Sequence, residues 1–436
     1  MSVWSNQKEA RPRVAIFFWE GYLGVAPSLL NALQMFSSRG YDVDVLMRPS
    51  PPGFPVPPTF SGNVRIRQCY TLGTLVRRLM PNSLESVEWT NVSATTGRRD
   101  RRAYNFFKKY VWRNAYWTVW FIDHIMFTVF SIIHIWYRRY ACFIGVDRDG
   151  LFTATVAGVV KRRPVLCWSL EIRFADEAAD SVQRKLKGLE RVCLQRVERA
   201  LIQDRKRADA FLLENGMPSS RIMIVPNGPL GQPGIISSGY LQKVLSLDDP
   251  SSLIVLHLGM ISPAFLSLEL SKNAANWPKD WLLVFHERQK RERGNPYLES
   301  VLEAGRGHAA LSLDPVPYGE LDKVVSSAKV GVVLYQKELG RNFSLAGSSG
   351  KLGQYFRCGV PVVCLDLPGI AEVVDKYGCG ICVKEVYEME AAIQSILKNY
   401  GTYSTSARTC YREAYEFGVH FNKVLVAIDR LREVAA

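Results

Sequence analysis

Ser348-Ser-Gly-Lys-Leu-Gly-Gln-Tyr-Phe-Arg-Cys-Gly-Val-Pro-Val-Val363, followed by Leu367-Pro-Gly-Ile-Ala-Glu372, decides the fold of this chain. It reads as loop, helix, turn, buried strand, loop and helix start. Ser348, Ser349 and Gly350 are small residues leading into a helix. The first N–H groups of such a helix lack internal partners and sit at the positive end of its dipole. That end takes anions, and Lys351 adds a full charge to it. Gly359 suits the helix C-terminus and Pro361 blocks its continuation. Residues 360–365 then form a short apolar run fit for a parallel strand. A phosphate-bearing ligand held at a strand–helix edge is the first expectation.

Working outward, the same alternation recurs. Residues 13–19 are an apolar strand, 21–24 a turn, and 27–38 a helix with Leu29, Leu30, Leu33 and Phe36 on one face. Gly40 ends it and 41–47 is the next strand, which makes a βαβ unit. A strand at 140–146 closes in Asp147-Arg-Asp149, and a helix at 151–160 precedes a strand at 164–169. A basic amphipathic helix covers 178–200, then come a strand at 201–204, a helix at 206–215 and a strand at 221–225 closed by Pro226-Asn-Gly228. Residues 228–239, rich in Gly, Pro and Ser, read as a linker. Beyond it, strands at 253–258, 281–285, 309–313, 330–335 and 360–365 alternate with helices, and 411–434 is mostly helical.

The 436 residues suffice for two domains, and 47% hydrophobic with 22% charged residues fits a folded globular chain. The formal net charge of +14 points to acidic partners: nucleotide phosphates, nucleic acid or an anionic membrane surface. The basic residues are spread over several helices without a nucleic-acid module, so nucleic acid is not expected. Nine cysteines show no paired metal spacing, and Cys379-Gly-Ile-Cys382 reads as buried thiols in a strand. The polar first residues lack an apolar signal core, so a reduced cytoplasmic setting is expected, peripheral to the inner face of a membrane if the segment at 98–140 docks there.

The opening stretch resembles the donor-binding segment of GT-B glycosyltransferases, especially family 4. The family pattern is Ser-Pro-x-Lys-Leu-x-Glu-Tyr, a small residue, Gly-x-Pro-Val-Val, then Pro-Gly-x-x-Glu. Ser348, Lys351, Leu352, Tyr355, Gly359, Pro361, Val362, Val363, Pro368, Gly369 and Glu372 match it. Ser349 stands for the Pro and Gln354 for the Glu, and Ala346 stands where the family's other Glu would be. The resemblance implies an α/β GT-B architecture: two Rossmann-like domains with parallel sheets facing each other across a cleft. Residues 1–230 would form the acceptor domain, 231–410 the nucleotide-sugar domain, and 411–436 a helix crossing back to the first. It also implies a metal-independent, hexosyltransferase-type enzyme with no cofactor, the nucleotide-diphosphate sugar being substrate.

On that reading Lys351 pairs with the donor diphosphate, and Gln354 accepts from ribose hydroxyls through its carbonyl. Asn342, Ser344, Ser348, Ser349 and Gly350 contact sugar or phosphate. The family's basic pair after the first strand of the second domain is absent, since Gly259-Met-Ile-Ser262 stands there. His286, Arg288 or Lys290 would then neutralise the leaving diphosphate. Gly21 and Gly24 lie at the strand edge where open α/β sheets bind ligands, with Glu20 adjacent. Glycines there let the backbone approach the donor, or simply form a tight turn. Asp147 ends a strand on the same edge as a base or acceptor contact. Asp147-Arg-Asp149 also resembles the metal triplet of GT-A enzymes, against which the C-terminal motifs argue. Glu171 is either a general base or a salt-bridged surface carboxylate.

Residues 98–140 stand apart. Arg98, Arg99, Arg101, Arg102, Lys108, Lys109 and Arg113 precede an aromatic run from Tyr116 to Tyr137, which Arg138 and Arg139 follow. A membrane span has the length but carries Asp123, and a central Asp costs ~2.5–3.5 kcal/mol on insertion scales. A buried core helix and an interfacial segment are the other readings, and the aromatic and cationic residues together favour the interfacial one. The function expected is sugar transfer from a nucleotide donor to a carbohydrate or lipid-linked acceptor hydroxyl, in glycolipid or surface polysaccharide assembly. The alternative is a non-catalytic GT-B-like scaffold binding a partner or membrane.

Overall fold

The computed structural model describes residues 11–50, 56–60, 62–79, 102–233, 238–247, 249, 251–336, 339–345, 347 and 349–434. Side chains are described from residue 116 onward in the long helix that begins at 102, and those of Arg102, Lys108, Lys109 and Arg113 are not. Arg98, Arg99, Arg101, Ala346 and Ser348 lie outside the described residues.

Alternating apolar strands and amphipathic helices build two parallel sheets. The first has strands β1 (Arg13–Phe18), β2 (Asp42–Met47), β3 (Val64–Gln68), β4 (Cys142–Val146), β5 (Val165–Trp168), β6 (Arg199–Ile202) and β7 (Ile222–Ile224). Their order is β3-β2-β1-β4-β5-β6-β7, all parallel. Helices α1 (Pro27–Ser38), α2 (Leu72–Leu79), α3 (Arg102–Ile135), α4 (Asp147–Lys161), α5 (Ser181–Leu194) and α6 (Arg205–Asn215) connect them. The second sheet has β8 (Leu253–Leu258), β9 (Trp281–His286), β10 (Ala309–Ser312), β11 (Val330–Val333), β12 (Val362–Leu365) and β13 (Gly380–Val383), in order β10-β9-β8-β11-β12-β13. Its helices include α7 (Tyr240–Val244), α8 (Ser267–Ala274), α9 (Pro296–Ala304), α10 (Leu321–Val325), α11 (Arg341–Ser344), α12 (Gly350–Arg357), α13 (Pro368–Tyr377), α14 (Met389–Lys398) and α15 (Tyr400–Cys410).

Strand order reverses between β1 and β4 in one sheet and between β8 and β11 in the other. Such a switch point opens a crevice at the carboxyl ends of the strands. In the first sheet α4 starts tight against β1, because a Cβ at Gly150 would lie 2.2 Å from the Phe17 carbonyl oxygen. Only glycine lets the helix start so close, and that places Asp147 at the crevice mouth.

The chain crosses between the sheets twice, at 226–233 and at 411–417, and the crossings touch. A Cβ on Gly228 would lie 1.9 Å from the Tyr415 carbonyl oxygen, and Tyr411 donates to the carbonyl of Pro229 at 3.1 Å. The last helix, α16 (Phe417–Val434), then packs on the first domain. Phe421 stacks on Trp168 at 5.7 Å and meets Phe36 edge-on at 5.3 Å.

Three local outcomes differ from the sequence expectations. The helix expected over 178–200 is α5, shortened because Asp180 accepts from the Gln183 N–H as its N-cap and residues 199–202 are drawn into β6. Helix α4 begins four residues early, at Asp147 itself. Strand β3, Val-Arg-Ile-Arg-Gln, is polar because it is the sheet edge, and Arg65 reaches back to Asp44 at 3.2 Å.

Candidate functional site

Helix α12 delivers Lys351 to the second crevice. The ammonium lies against Gly259 just past β8, where an added Cβ would be 2.9 Å from the lysine Cε and 3.3 Å from Nζ. Gly259 has φ +108, a backbone that also requires glycine. Nζ sits 4.3 Å from the Phe265 ring centre and 5.5 Å from that of Tyr335. It is buried and has no hydrogen-bond partner. Although the residue as a whole is half-buried, its charged atom is shut away. Burial, reinforced by the nearby charge of Arg288, lowers the Lys351 pKa to about 7. A buried ammonium with two rings beneath it, no hydrogen-bond partner and only the through-space charge of Glu287 in its favour leaves a place for an anion.

The frame around it is fixed. Glu287 is buried and accepts from the N–H of Ile261 at 3.1 Å and of Arg288 at 2.9 Å, while Arg291 donates to the Ile261 carbonyl at 2.9 Å. These bonds hold the loop 259–262. Arg288 is exposed and close enough to act on the charges of both Lys351 and Tyr335. Of His286, Arg288 and Lys290, it is the one whose charge acts on Lys351. Lys290 lies farther out, 3.8 Å from Asp314 on an exposed edge. His286 does not share the role. It is buried, its Nδ1 is 2.9 Å from Ser312 Oγ, and burial lowers its pKa to about 4. A neutral imidazole turned to β10 lends no charge to a diphosphate, and the strand-end hydrogen bond is what it makes.

Ser349 is the residue before α12 but does not cap it; its Oγ lies 2.8 Å from the Tyr335 hydroxyl. Gly350 starts the helix beside the linker, where a Cβ would be 3.4 Å from Asn227 Nδ2. Asn227 in turn accepts from Ser28 of α1 at 2.7 Å, so linker, α1 and the Lys351 helix meet at one point. Gln354 is buried and donates to Asp322 at 2.7 Å, which commits its amide nitrogen to α10 and leaves its carbonyl as the acceptor.

Across the cleft, the first crevice gathers acids. Asp147 has φ +52 and accepts at Oδ1 from the N–H of Leu170 at 2.6 Å and of Glu171 at 3.0 Å. Burial, reinforced by the charge of Glu171, raises its pKa to about 7 against those two bonds. Glu171 is itself exposed. Burial and the same carboxylates, with Glu20, push the Tyr22 hydroxyl far up. Burial opposes the charge on Arg173, but Glu171, Asp149, Asp147 and Glu20 outweigh it and raise its pKa. Asp149 pairs with Arg148 at 3.5 Å. Gly21 and Gly24 occupy the bend and the short 3₁₀ turn (Leu23–Val25) after β1. Both glycines have φ below zero, so they supply small size rather than a left-handed turn.

Two side chains tie the crevices together. Arg207 of α6 is half-buried and donates to the carbonyls of Leu170 at 2.7 Å, Asn342 at 2.9 Å and Leu345 at 3.4 Å. It is close enough to Asp147, Glu171 and Tyr335 for their charges to act on it. Asn342 bonds both ways to the backbone of Ile172, accepting at 3.0 Å and donating at 2.7 Å. Asn342, expected to contact sugar or phosphate, thus bonds across the cleft. Ser344 donates to the Arg341 carbonyl within its own turn. Lys206 adds an ion pair to Glu372 at 3.0 Å. Arg207→Leu should lower the urea midpoint by an amount worth about 2–4 kcal/mol, because it removes the guanidinium's hydrogen bonds to the carbonyls of Leu170, Asn342 and Leu345. A midpoint within error of wild type would contradict this placement.

No protein-family model matches the chain, and no curated protein matches it. Solved structures do. Sucrose-phosphate synthase from Thermosynechococcus elongatus aligns with TM-score 0.66 at 14% identity, over 98% of this chain and 100% of that one. The fold is GT-B. HepE of Anabaena, solved with UDP and glucose, aligns with TM-score 0.61 at 12% identity, covering 96% of this chain and 100% of its own. WaaG, a glycosyltransferase of lipopolysaccharide biosynthesis, aligns with TM-score 0.59 at 11% identity, covering 96% and 99%. In GT-B terms the two crevices are the facing edges of the two domains, and Arg207 and Asn342 hold them together.

The sequence singled out Lys351, Arg288, Asp147 and Glu171, which the structure brings to the two crevices, but not Arg207, Tyr335, Phe265, Glu287, Tyr22 and Arg173 beside them. Arg207 directly follows Arg205 and Lys206 at the start of α6, with nothing local to set it apart. Glu287 stood between two residues already singled out, and a carboxylate at a strand end was the available signal.

Proposed function

We propose that this protein is a glycosyltransferase that moves a sugar from a nucleoside-diphosphate donor to an acceptor hydroxyl. The observation that carries the reading is the buried, unpartnered Lys351 ammonium at the N-terminus of α12, facing an acid-lined crevice. Lys351 and Arg288 receive the diphosphate, and the free N–H groups of α12 add to its binding. The acceptor hydroxyl lies on the other side, near Asp147. When the bond between sugar C1 and the phosphate oxygen breaks, the leaving diphosphate gains charge, which Lys351 and Arg288 stabilise. Asp147 takes the acceptor's proton as its oxygen bonds to C1. Its raised pKa suits that exchange near neutral pH. The Arg207 and Asn342 bonds keep the domains closed so that the two groups face each other. No metal enters this scheme. Solved GT-B neighbours that carry UDP, or UDP with glucose, support the donor class. Assembly of a glycolipid or surface polysaccharide is the setting we favour, supported by the lipopolysaccharide enzyme among the neighbours.

The test is release of nucleoside diphosphate from sugar nucleotides in the presence of glycolipid or oligosaccharide acceptors. Acceptor-dependent release, absent in Lys351→Met, supports transfer. No release with any donor would favour the scaffold alternative. Glu171→Gln refines the picture. Its charge raises the Asp147 pKa, so the variant should move the acid limb of the pH–rate profile below pH ~7 without abolishing activity. An unmoved limb would mean that Asp147 does not set it.

A further inference from the structure

From residue 116 onward helix α3 is two-faced, and both faces are apolar. Trp117, Phe127, Ser131 and Ile135 are buried against the first domain. Asp123, the one acid in residues 116–137, is buried too and accepts from the Gly73 N–H at 2.9 Å. The opposite stripe carries Ile122, Ile125, Met126, Val129, Ile133 and Trp136, all exposed, with Ile125 at 63% and Ile133 at 64%. The spacing is helical, so these form one continuous strip.

The strip does not end with α3. Helix α4 runs parallel beside it in constant register: Thr128 meets Thr153 at 3.1 Å, and Lys161 Nζ donates to the Trp136 carbonyl at 2.6 Å. On its outer side α4 exposes Val156, Val159 and Val160. Helix α5, the next in this layer, exposes Leu189 and Val192 with Lys185 at i, i+4 and i+7 on one face, and Arg196 follows in the turn after it. Nothing in a lone soluble domain calls for so broad an apolar surface.

Charge says what covers it. Arg139, Lys161, Arg162, Lys185 and Arg196 rim the surface. Among the described residues, every acid of α3, α4 and α5 is withdrawn from it. Asp123 is tied to Gly73, Asp147 and Asp149 sit at the crevice, and Glu190 is buried on Lys187. Trp136 and Tyr137 stand at the end of the strip beside Lys161, as aromatic residues do at a headgroup boundary. A second copy of the chain docked symmetrically would bring two cationic rims together. An anionic bilayer answers both the apolar strip and the rim. Residues 116–135 are long and apolar enough to cross a membrane. Crossing would, however, tear Trp117, Phe127 and Ile135 out of the core and expose Asp123 to hydrocarbon.

We propose that the outer face of the α3–α4–α5 layer docks flat on an anionic phospholipid surface, inserting the Ile125–Val129–Ile133 strip at the headgroup boundary. Trp19, at the end of β1 and next to Glu20, packs on Trp120, His124 and Phe127 of the same helix. If the proposed function holds, docking therefore sets the acceptor crevice beside the membrane, within reach of a lipid-linked acceptor.

The experiment is vesicle flotation of the full chain with phosphatidylcholine vesicles, with and without phosphatidylglycerol, at low and high salt. Wild type should float with the anionic vesicles and be released by salt. Ile125→Glu/Val129→Glu/Ile133→Glu should lose roughly tenfold or more in partitioning. Lys161→Gln/Arg162→Gln should lose about fivefold per charge. Thermal stabilisation by nucleoside diphosphates, measured on the same proteins, reports fold and donor site. It should be unchanged in both variants. Wild type that stays unbound, or a triple variant that floats as well as wild type, overturns the proposal. So does a wild-type dimer that the triple variant dissolves and no vesicle recruits. Flotation without any nucleotide effect would sink the proposed transfer function and leave the docking face standing.

Discussion

Lys351→Met should weaken binding of a nucleoside-diphosphate sugar at least about thirty-fold while making the ligand-free protein more stable. The two effects have one cause. Burial holds the lysine pKa at about 7, below its ordinary value of 10.5. The unfolded chain therefore holds the proton more tightly than the folded one. The penalty on folding grows as pH falls from 10.5 towards 7 and is complete below 7. Methionine fills similar space without charge, beside Phe265 and Tyr335. At neutral pH it should add on the order of 1–3 kcal/mol, as apolar replacements of buried charges do. Loss of the ammonium from a buried phosphate contact should cost about 2–5 kcal/mol, roughly thirty-fold to several-thousand-fold in Kd. Urea denaturation and calorimetry of the same preparation measure both. A destabilised variant that still binds donor would show that Lys351 is a structural lysine.

Asp147→Asn should leave fold and donor affinity intact and lower the transfer rate by about 10²–10⁴-fold. Asparagine tolerates φ +52 and its carbonyl can still accept from the N–H groups of Leu170 and Glu171. Only the proton-accepting carboxylate is lost. In wild type, Asp147 becomes protonated as pH falls through about 7, which gives the rate an acid limb. Above pH ~7 Lys351 loses its proton in the free enzyme, so donor binding must take one up and weakens as pH rises. The profile of kcat/KM is thus a narrow bell around neutrality, and the acid limb should vanish in Asp147→Asn. An Asn variant with an undiminished rate would remove Asp147 from the chemistry.

The fold was legible because its signals are local. Apolar strand runs, the glycine and proline after α12, and the matched pattern from Lys351 to Glu372 each lie within a few residues of sequence. They led to two parallel sheets and a lysine at a helix start. The site was legible only on its strand ends. Arg207 acquires its role by reaching Leu170, Asn342 and Leu345, residues up to 138 positions away. His286 looked like a cation beside a phosphate, but burial keeps it neutral and its Nδ1 is turned to Ser312 one strand over. Asp123 read as an objection to a membrane span, and only its bond to Gly73 shows that it lies on the inner face of α3.

Calorimetric titration of the wild-type chain with UDP, GDP, ADP, dTDP and CMP, at one pH below and one above 7, tests the donor site most directly. The predicted result is one-to-one binding by one nucleotide class, tighter at the lower pH, with proton uptake at the higher and loss in Lys351→Met. Absence of binding by every nucleotide, or binding that Lys351→Met leaves unchanged, would contradict it.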